Sequence, residues 1–251
     1  MTFKLFLDPG HGGSDPGAEG NGLKEKNITL EISKNIHDIL VDEYSDVSIK
    51  MSRTGDTYPT LNQRTDEANA WGADFFLSIH INSGGGEGYE DYIYIDLSNR
   101  SETGQIRDDI HTAVIKVNDL NDRGEKKGDL DVLRDTTMPA VLTENGFIDN
   151  ANDAAKMKDP SWITEVARGH VNGLEKAFGL KRKSTAGTFL IRVKADSLWY
   201  YNKPDWNAKA GVVHKDEVFT VVDTLTVSGS KMYKLKSGNY ITANPDYVEK
   251  V

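Results

Sequence analysis

The run Asp74–Ile81, DFFLSIHI, restricts the fold more than any other segment of this chain. A short, nearly unbroken apolar run bounded by polar residues reads as a strand buried on both faces, the kind found in parallel sheets. Lys4–Asp8 (KLFLD) and Ala140–Thr143 (AVLT) have the same texture, and Val47–Met51 and Asp91–Ile95 are further strand candidates. Helical spacing separates them. It covers Ile28–Val41 behind Asn27 as N-cap, Leu61–Trp71, Thr103–Leu120, and a last helix that starts behind Asp159-Pro160 and stops before Gly179. Strands alternating with helices predict an α/β fold, with a mixed, largely parallel sheet flanked by helices.

The texture changes near residue 180. Residues 181–187, KRKSTAG, are polar and without periodicity, and read as a linker. Beyond them short β-like runs follow one another at Phe189–Val193, Leu198–Tyr201, Val218–Val222, Met232–Leu235 and Tyr240–Thr242. Such spacing predicts a small all-β barrel. The expected domains are therefore 1–180 and 188–251. Charge divides the same way: residues 181–251 carry 12 Lys+Arg against 7 Asp+Glu, while residues 1–180 carry 18 against 32. The basic second segment suits an anionic polymer such as cell-wall teichoic acid or nucleic acid, although ordinary surface variation would also give this asymmetry.

The chain has no cysteine, so disulfides and thiolate metal sites are excluded and any metal must be held by His, Asp or Glu. The N-terminal MTFKLFLDPG has neither the apolar length nor the cleavage site of a signal peptide, and no stretch is long and apolar enough to span a bilayer. Synthesis as a cytoplasmic product without membrane insertion is the expectation.

Three residues form a catalytic zinc set by type: His11 in the turn after the first strand, Glu25 in the loop NGLKEK, and His80 at the end of DFFLSIH. Two imidazoles and a carboxylate leave a fourth position for water, and loops at the carboxyl ends of strands are where an α/β sheet gathers such groups. Glycines around His11 let the backbone bend. Glu144, closing the AVLT strand, has the chemistry of a general base and acid. Each also has a plain reading: a lone histidine is usually structural, a Glu in a Lys-rich loop is usually solvated, and Glu144 would also suit a turn cap. His37, His111, His170 and His214 are read as structural or surface residues. DPGHGGSDPG lacks the elements of a phosphate loop, so nucleotide binding is disfavoured. A net charge of −9 disfavours nucleic acid.

The ordered runs LDPGHGGSDPGA, LKEKN, SRTGD, LNQRTDEAN, FFLSIHINS and PAVLTENGFIDN, from about residue 3 to 178, resemble the zinc-dependent N-acetylmuramoyl-L-alanine amidases of the amidase_3 type. The likeness includes sporulation autolysins of bacilli and phage endolysins. The resemblance implies one Zn2+ on His11, Glu25 and His80, with Glu144 catalytic. It also implies peptidoglycan as substrate, hydrolysed between N-acetylmuramic acid and L-alanine, and a monomer is expected. A peptidase cutting within the stem peptide would use the same set of residues. Asn82 and Arg64 are candidate substrate contacts, with turn-forming and site-buttressing roles as their alternatives; Asn69 and Arg53 are read as structural, and the loop Gly124–Arg134 as a groove wall. The second segment resembles SH3-like (SH3b) wall-binding modules more loosely. Nine of the chain's 22 aromatics lie in it, and Trp199, Tyr200, Tyr201 and Trp206 are too crowded for all to point inward. Trp199 and Trp206 are its candidate wall contacts, with a core role for every aromatic as the alternative.

Overall fold

The chain packs into two compact units that divide between Arg182 and Lys183; the computed structural model describes residues 2–183 and 187–251. In the first unit β1 (Phe3–Pro9) leads through a turn into a minimal hairpin, β2 (Glu19–Gly20) and β3 (Leu23–Lys24), then α1 (Glu25–Glu43), β4 (Val47–Met51) and α2 (Leu61–Trp71). There follow β5 (Phe75–Asn82), β6 (Tyr89–Tyr94), α3 (Glu102–Ile115), β7 (Asp122–Gly128), the single turn α4 (Asp131–Arg134), β8 (Ala140–Phe147), α5 (Ala151–Met157) and α6 (Pro160–Phe178). The main sheet has the order β4-β1-β5-β8-β6-β7. All its pairings are parallel except β6 with β8, the mixed and largely parallel sheet the sequence predicts.

Side chains alternate across this sheet with a period of two. Leu5, Leu7, Phe75, Leu77, Ile79 and Val141 join the large core shared with Ile32 and Ile36 of α1, Ile110 of α3 and Val166 of α6. Phe6, Phe76, Ala140 and Leu142 pack in a smaller cluster with Ala68 of α2 and Val132 and Leu133 of α4. Continuing that second face toward the strand ends gives Asp8, His80 and Glu144. The same alternation that buries the small cluster therefore brings polar groups to one sheet edge.

Local chemistry explains the element ends. Thr60 and Gln63 form a reciprocal capping box at the start of α2, and the Asp159 carboxylate accepts from Ser161 N ahead of Pro160. Helix α1 begins before Asn27, so Asn27 is not its cap. Its first N–H groups are satisfied by loop carbonyls, Glu25 N donating to Ala18 O (2.9 Å) and Lys26 N to Pro16 O (3.1 Å). Helix α3 stops at Ile115, short of the expected Leu120; the apolar spacing runs on because Leu120 packs against the core from the following turn. Strand β7, DRGEKKG, is where the sequence suggests a loop. It contains no apolar residue and is an edge strand, defined by pairing with β6 alone. The short α5 lies in a stretch the sequence reading left unassigned.

The second unit contains β9 (Phe189–Val193), β10 (Ser197–Tyr201), β11 (Lys209–His214), β12 (Val218–Val227), β13 (Ser230–Leu235), β14 (Tyr240–Thr242) and β15 (Val248–Lys250). They form one seven-stranded sheet, β11-β10-β14-β13-β12-β9-β15, with every pairing antiparallel. Its core is Ile191, Val193, Val213, Val221, Leu235, Ile241 and Val248. Lys181 and Arg182, expected to open a linker, are tied to the first unit. Lys181 N donates to Asp46 (2.9 Å) and Arg182 pairs with Glu43 and Glu175. Ser184, Thr185 and Ala186 of the expected linker 181–187 lie outside the described residues. Among the described residues no helix is long and apolar enough to cross a membrane.

Two histidines of the first unit are structural. His170 is fully buried, its Nδ1 against Val166 O (2.8 Å), and burial pushes its pKa down to about 4. His111 clamps α3 to β6 and β7, with Nδ1 at 2.9 Å from Asp91 and Nε2 at 3.0 Å from Asp122. One turn away the buried Arg107 reaches Glu125 at 2.6 Å. Burial alone would lower the His111 pKa, but the two carboxylates outweigh it and raise it above the ordinary histidine value. A histidine raised on folding contributes stability that is complete below its unfolded pKa and lost as pH rises through the folded one. The wild-type denaturation midpoint is therefore expected to fall between pH 6 and pH 9, and the His111→Gln variant to show a flatter profile. Parallel profiles would remove His111 from the pH dependence.

Candidate metal centre and active site

The centre begins at the end of β1, where the chain leaves the sheet through Gly10 and enters a turn with His11 at φ 60°. A left-handed conformation is unfavourable for a residue with a side chain and is held here by its surroundings. Arg64 donates to Pro9 O (2.8 Å), His11 O (2.8 Å) and Asp8 Oδ1 (2.6 Å), and Arg53 donates to Pro9 O (3.0 Å) and Gly10 O (2.8 Å). Asp8 also accepts from Ser52 and Ser78. Its burial would raise the carboxyl's pKa, but Arg64 and the two hydroxyls hold it below the usual range. Arg64 is thus a buried support of the His11 turn, the buttressing alternative of the sequence reading.

Glu25, the first residue of α1, is buried with its carboxylate between both histidines. Its Oε2 lies 3.1 Å from His11 Nε2 and its Oε1 lies 3.0 Å from His80 Nδ1. The same oxygens accept from Ala18 N (2.8 Å) and Ile81 N (2.9 Å), which lock the carboxylate to the turn and to β5. Burial raises the Glu25 pKa, and the two imidazoles lower it further, to well below the carboxylate range. Close approach requires glycine at two points: a Cβ on Gly10 would lie 2.4 Å from the His80 ring, and one on Gly17 would lie 2.5 Å from Glu25 Oε2.

One ligand atom from each of His11, Glu25 and His80 lies within 4.8 Å of the others. Two imidazole nitrogens and one carboxylate oxygen, already converging, fit a catalytic zinc ion with an open position. Asp15, which the sequence reading did not single out, completes this arrangement. Its Oδ2 lies 2.8 Å from His11 Nδ1 and its Oδ1 accepts from Gly17 N (3.0 Å). A carboxylate only accepts, so it keeps the proton on Nδ1 and turns Nε2 toward Glu25. A carboxylate four residues after His11 in the same turn was the available signal.

Glu144 is the strand partner of His80 across β5 and β8. Its Oε2 is buried and has no hydrogen-bond partner among the described residues. Burial, reinforced by the negative charges of Glu25 and Glu90, pushes its pKa well above the usual carboxylate range. Glu90 stands opposite Glu144 in the β6–β8 register. It accepts from Asn82 Nδ2 (2.9 Å), Tyr92 OH (2.7 Å) and Arg123 Nε (2.8 Å). Asn82 also accepts from Ser83 N (2.8 Å), so its amide is engaged at one end by β6 and at the other by its own turn. Asn69 ties α2 to residues 135–137. No local pattern marks Glu90, Tyr92 or Arg123; strand register brings Glu90 to Glu144, and Tyr92 and Arg123 join through their bonds to Glu90.

A pocket of about 280 Å³ opens beside the two histidines, lined on its apolar side by Tyr58, Pro59, Leu61, Leu130, Val132 and Leu142. Leu130 and Val132 come from the stretch expected to form a groove wall. In the second unit Tyr201 is buried, whereas Trp199 is 46% exposed with Lys209 Nζ 4.9 Å from its ring centroid. Trp206 is half-buried, donating to Val227 O (2.9 Å), and lines an open hollow with Lys231 and Asn244.

A mixed α/β sheet carrying a His-Glu-His donor set and a half-buried carboxylate at one edge is a frame for amide hydrolysis. The chain belongs to the N-acetylmuramoyl-L-alanine amidase family (Amidase_3), whose model matches residues 5–176. It is 47% identical to the endolysin of Bacillus phage SPP1, over 99% of this chain and 98% of that protein. It is 55% identical to the sporulation-specific N-acetylmuramoyl-L-alanine amidase of Bacillus subtilis (strain 168), over 76% of this chain and 74% of the relative. Among solved structures, the catalytic domain of CwlV, an N-acetylmuramoyl-L-alanine amidase from Bacillus (Paenibacillus) polymyxa var. colistinus, superposes with a TM-score of 0.67 at 32% identity. It covers 72% of this chain and all of that one. Residues 185–248 match a domain of unknown function (DUF5776), which gives the second unit a family but no assigned activity.

Loss of a carboxylate behind a ligating histidine costs roughly 10- to 100-fold in metal affinity. Asp15→Asn is expected to weaken zinc retention by that factor in a chelator competition while leaving the thermal midpoint of the metal-free protein nearly unchanged. Equal zinc affinity in the two proteins would assign Asp15 a purely local role.

Proposed function

We propose that this chain is a zinc-dependent hydrolase of the amide between N-acetylmuramic acid and L-alanine in bacterial peptidoglycan. The observation that carries this reading is the convergence of His11, Glu25 and His80 beside the half-buried Glu144, whose buried Oε2 has no partner among the described residues, in a chain of the amidase family. Zinc bound by the three ligands would supply Lewis-acid polarisation of the scissile carbonyl and of the attacking water. Glu144 takes the water's proton on its carboxylate as the oxygen attacks. It then returns that proton to the alanine nitrogen as the carbon–nitrogen bond breaks. A carboxyl pKa raised by burial suits both halves of this transfer, because the group must accept and then release a proton near neutral pH. Asp15 holds the His11 tautomer, and the pocket beside the histidines offers an apolar surface next to the reacting groups.

For the second unit we propose binding to the wall itself, with anionic wall polymers as the class of ligand. The net positive charge of residues 181–251, the exposed Trp199 beside Lys209 and the open hollow at Trp206 and Lys231 support this. An aromatic face with an adjacent ammonium suits a sugar or polyol chain that carries negative charge.

Incubation with Gram-positive cell walls tests the activity. New N-terminal alanine without new reducing sugar, lost on chelation and restored by zinc, is the expected result; new termini from another residue would mean a peptidase. Glu144→Gln is expected to retain zinc while activity falls by about three orders of magnitude or more, and an active variant would remove Glu144 from the proton transfers. The inactive full-length Glu144→Gln protein also reports wall binding without dissolving its target. Adding Trp199→Ala is expected to lower the fraction that sediments with walls several-fold, and unchanged sedimentation would exclude Trp199 from the contact.

A further inference from the structure

Arg123, on the edge strand β7, is held more firmly than a surface arginine ordinarily is. Its guanidinium carbon lies 4.7 Å from the centroid of the Phe147 ring, and its Nε donates to Glu90 Oε2 at 2.8 Å. Phe147 is buried, three residues beyond Glu144 on β8. Glu90 is itself fixed by Asn82 and Tyr92 through its other oxygen. Stacking and the Nε bond together remove most of the rotational freedom of the side chain. Yet the side chain as a whole is 38% exposed, and neither terminal nitrogen has a hydrogen-bond partner among the described residues. A guanidinium with Nε anchored and its terminal pair free is a preorganised receptor for a planar oxyanion. The acceptor already present, Glu90, occupies only the third nitrogen.

The location identifies which part of the substrate would meet it. Glu90 is the strand partner of Glu144, so Arg123 borders the site on the side of the group that protonates the leaving nitrogen. That nitrogen begins the released peptide, so the chain beyond alanine leaves the scissile bond toward Glu144. The apolar pocket, by contrast, is lined from β1, α2 and α4 together with His80 of β5 and Leu142 of β8, and has neither Glu144 nor Arg123 in its wall. We propose that Arg123 is a specificity-determining residue, whose two free terminal nitrogens receive a carboxylate of the released peptide, on the acidic residue next to L-alanine. This rests on the amidase reading and adds to it the charge of the preferred substrate.

The test uses the full-length zinc-loaded protein and two uncrosslinked glycan–peptide substrates, identical except that the acidic residue next to alanine is free in one and carboxamide in the other. Neither carries phosphate, so a preference between them reports the peptide carboxylate and not a wall polyanion. Hydrogen bonds to a charged group contribute enough for a preference of about 10- to 100-fold. The wild type is expected to favour the free acid by this factor in kcat/KM, chiefly through KM. Arg123→Gln is expected to treat both substrates as the wild type treats the amide, and Arg123→Lys to recover part of the preference. Equal wild-type rates on the two substrates would overturn the proposal, as would an Arg123→Gln variant that keeps the preference or loses activity equally on both. If neither substrate releases a peptide with N-terminal alanine, the amidase reading fails and the subsite falls with it.

Discussion

Beneath the turn that carries His11 lie two buried arginines and a single buried carboxylate. Arg53 and Arg64 together satisfy the carbonyls of Pro9, Gly10 and His11 as the chain leaves the end of β1. Asp8 neutralises Arg64 from the last turn of β1. Arg53 has no such partner: burial, together with the neighbouring Arg64, brings its pKa down to about 10. Removing one member of a buried pair of this kind costs about 3–5 kcal/mol, because the other charge stays behind without compensation. That cost is borne at the place where His11 must keep a left-handed backbone, and the guanidinium bonds are what over-determine it.

The rest of the site follows from anchoring that turn. Arg53 also reaches Lys26 O and Thr29 Oγ1 in the first turns of α1, so the helix start is held against the same segment as His11. Glu25 then sits at the helix N-terminus with both oxygens engaged by backbone N–H groups, leaving its carboxylate directed between two imidazoles. A carboxylate at a helix N-terminus is also favoured by the helix dipole. The ligands thus come from three elements that the polar frame of Asp8, Arg53 and Arg64 locks together, which is how a site built partly on a loop acquires the rigidity of the sheet.

The mixed direction of the sheet has a functional consequence. Because β6 runs antiparallel to β8, it sets Glu90 directly against Glu144, and β7, parallel to β6, adds Arg123. Two carboxylates facing each other across a ladder repel, and in this arrangement the repulsion helps keep the proton affinity of Glu144 high while Arg123, Tyr92 and Asn82 keep Glu90 ionised. The polar residues of β6 on the opposite face serve structure instead: Asp91 joins His111 in clamping α3. One strand therefore contributes to chemistry on one face and to cohesion on the other, by the period-two alternation alone.

The sequence by itself determined the elements with strong local signals. DFFLSIHI, KLFLD and AVLT are apolar runs too continuous for any other role, and the Thr60–Gln63 box and the Asp159-Pro160 start specify their helices through bonds made within a few residues. His11, His80 and Glu144 could be singled out because their motifs sit at strand ends, where period and turn chemistry are both local, and Glu25 because its loop leads into a helical pattern. Tertiary structure alone decided the rest. Strand β7 has no apolar residue and exists by pairing. Helix α1 takes its first hydrogen bonds from a loop seven residues upstream, which the plausible Asn27 cap concealed. Arg64 became a buried support because Asp8 lies 56 residues away in sequence and 2.6 Å away in space. Glu90 meets Glu144 through register, and register is a property of the assembled sheet: it depends on which residues lie opposite one another, and no strand's own sequence states that.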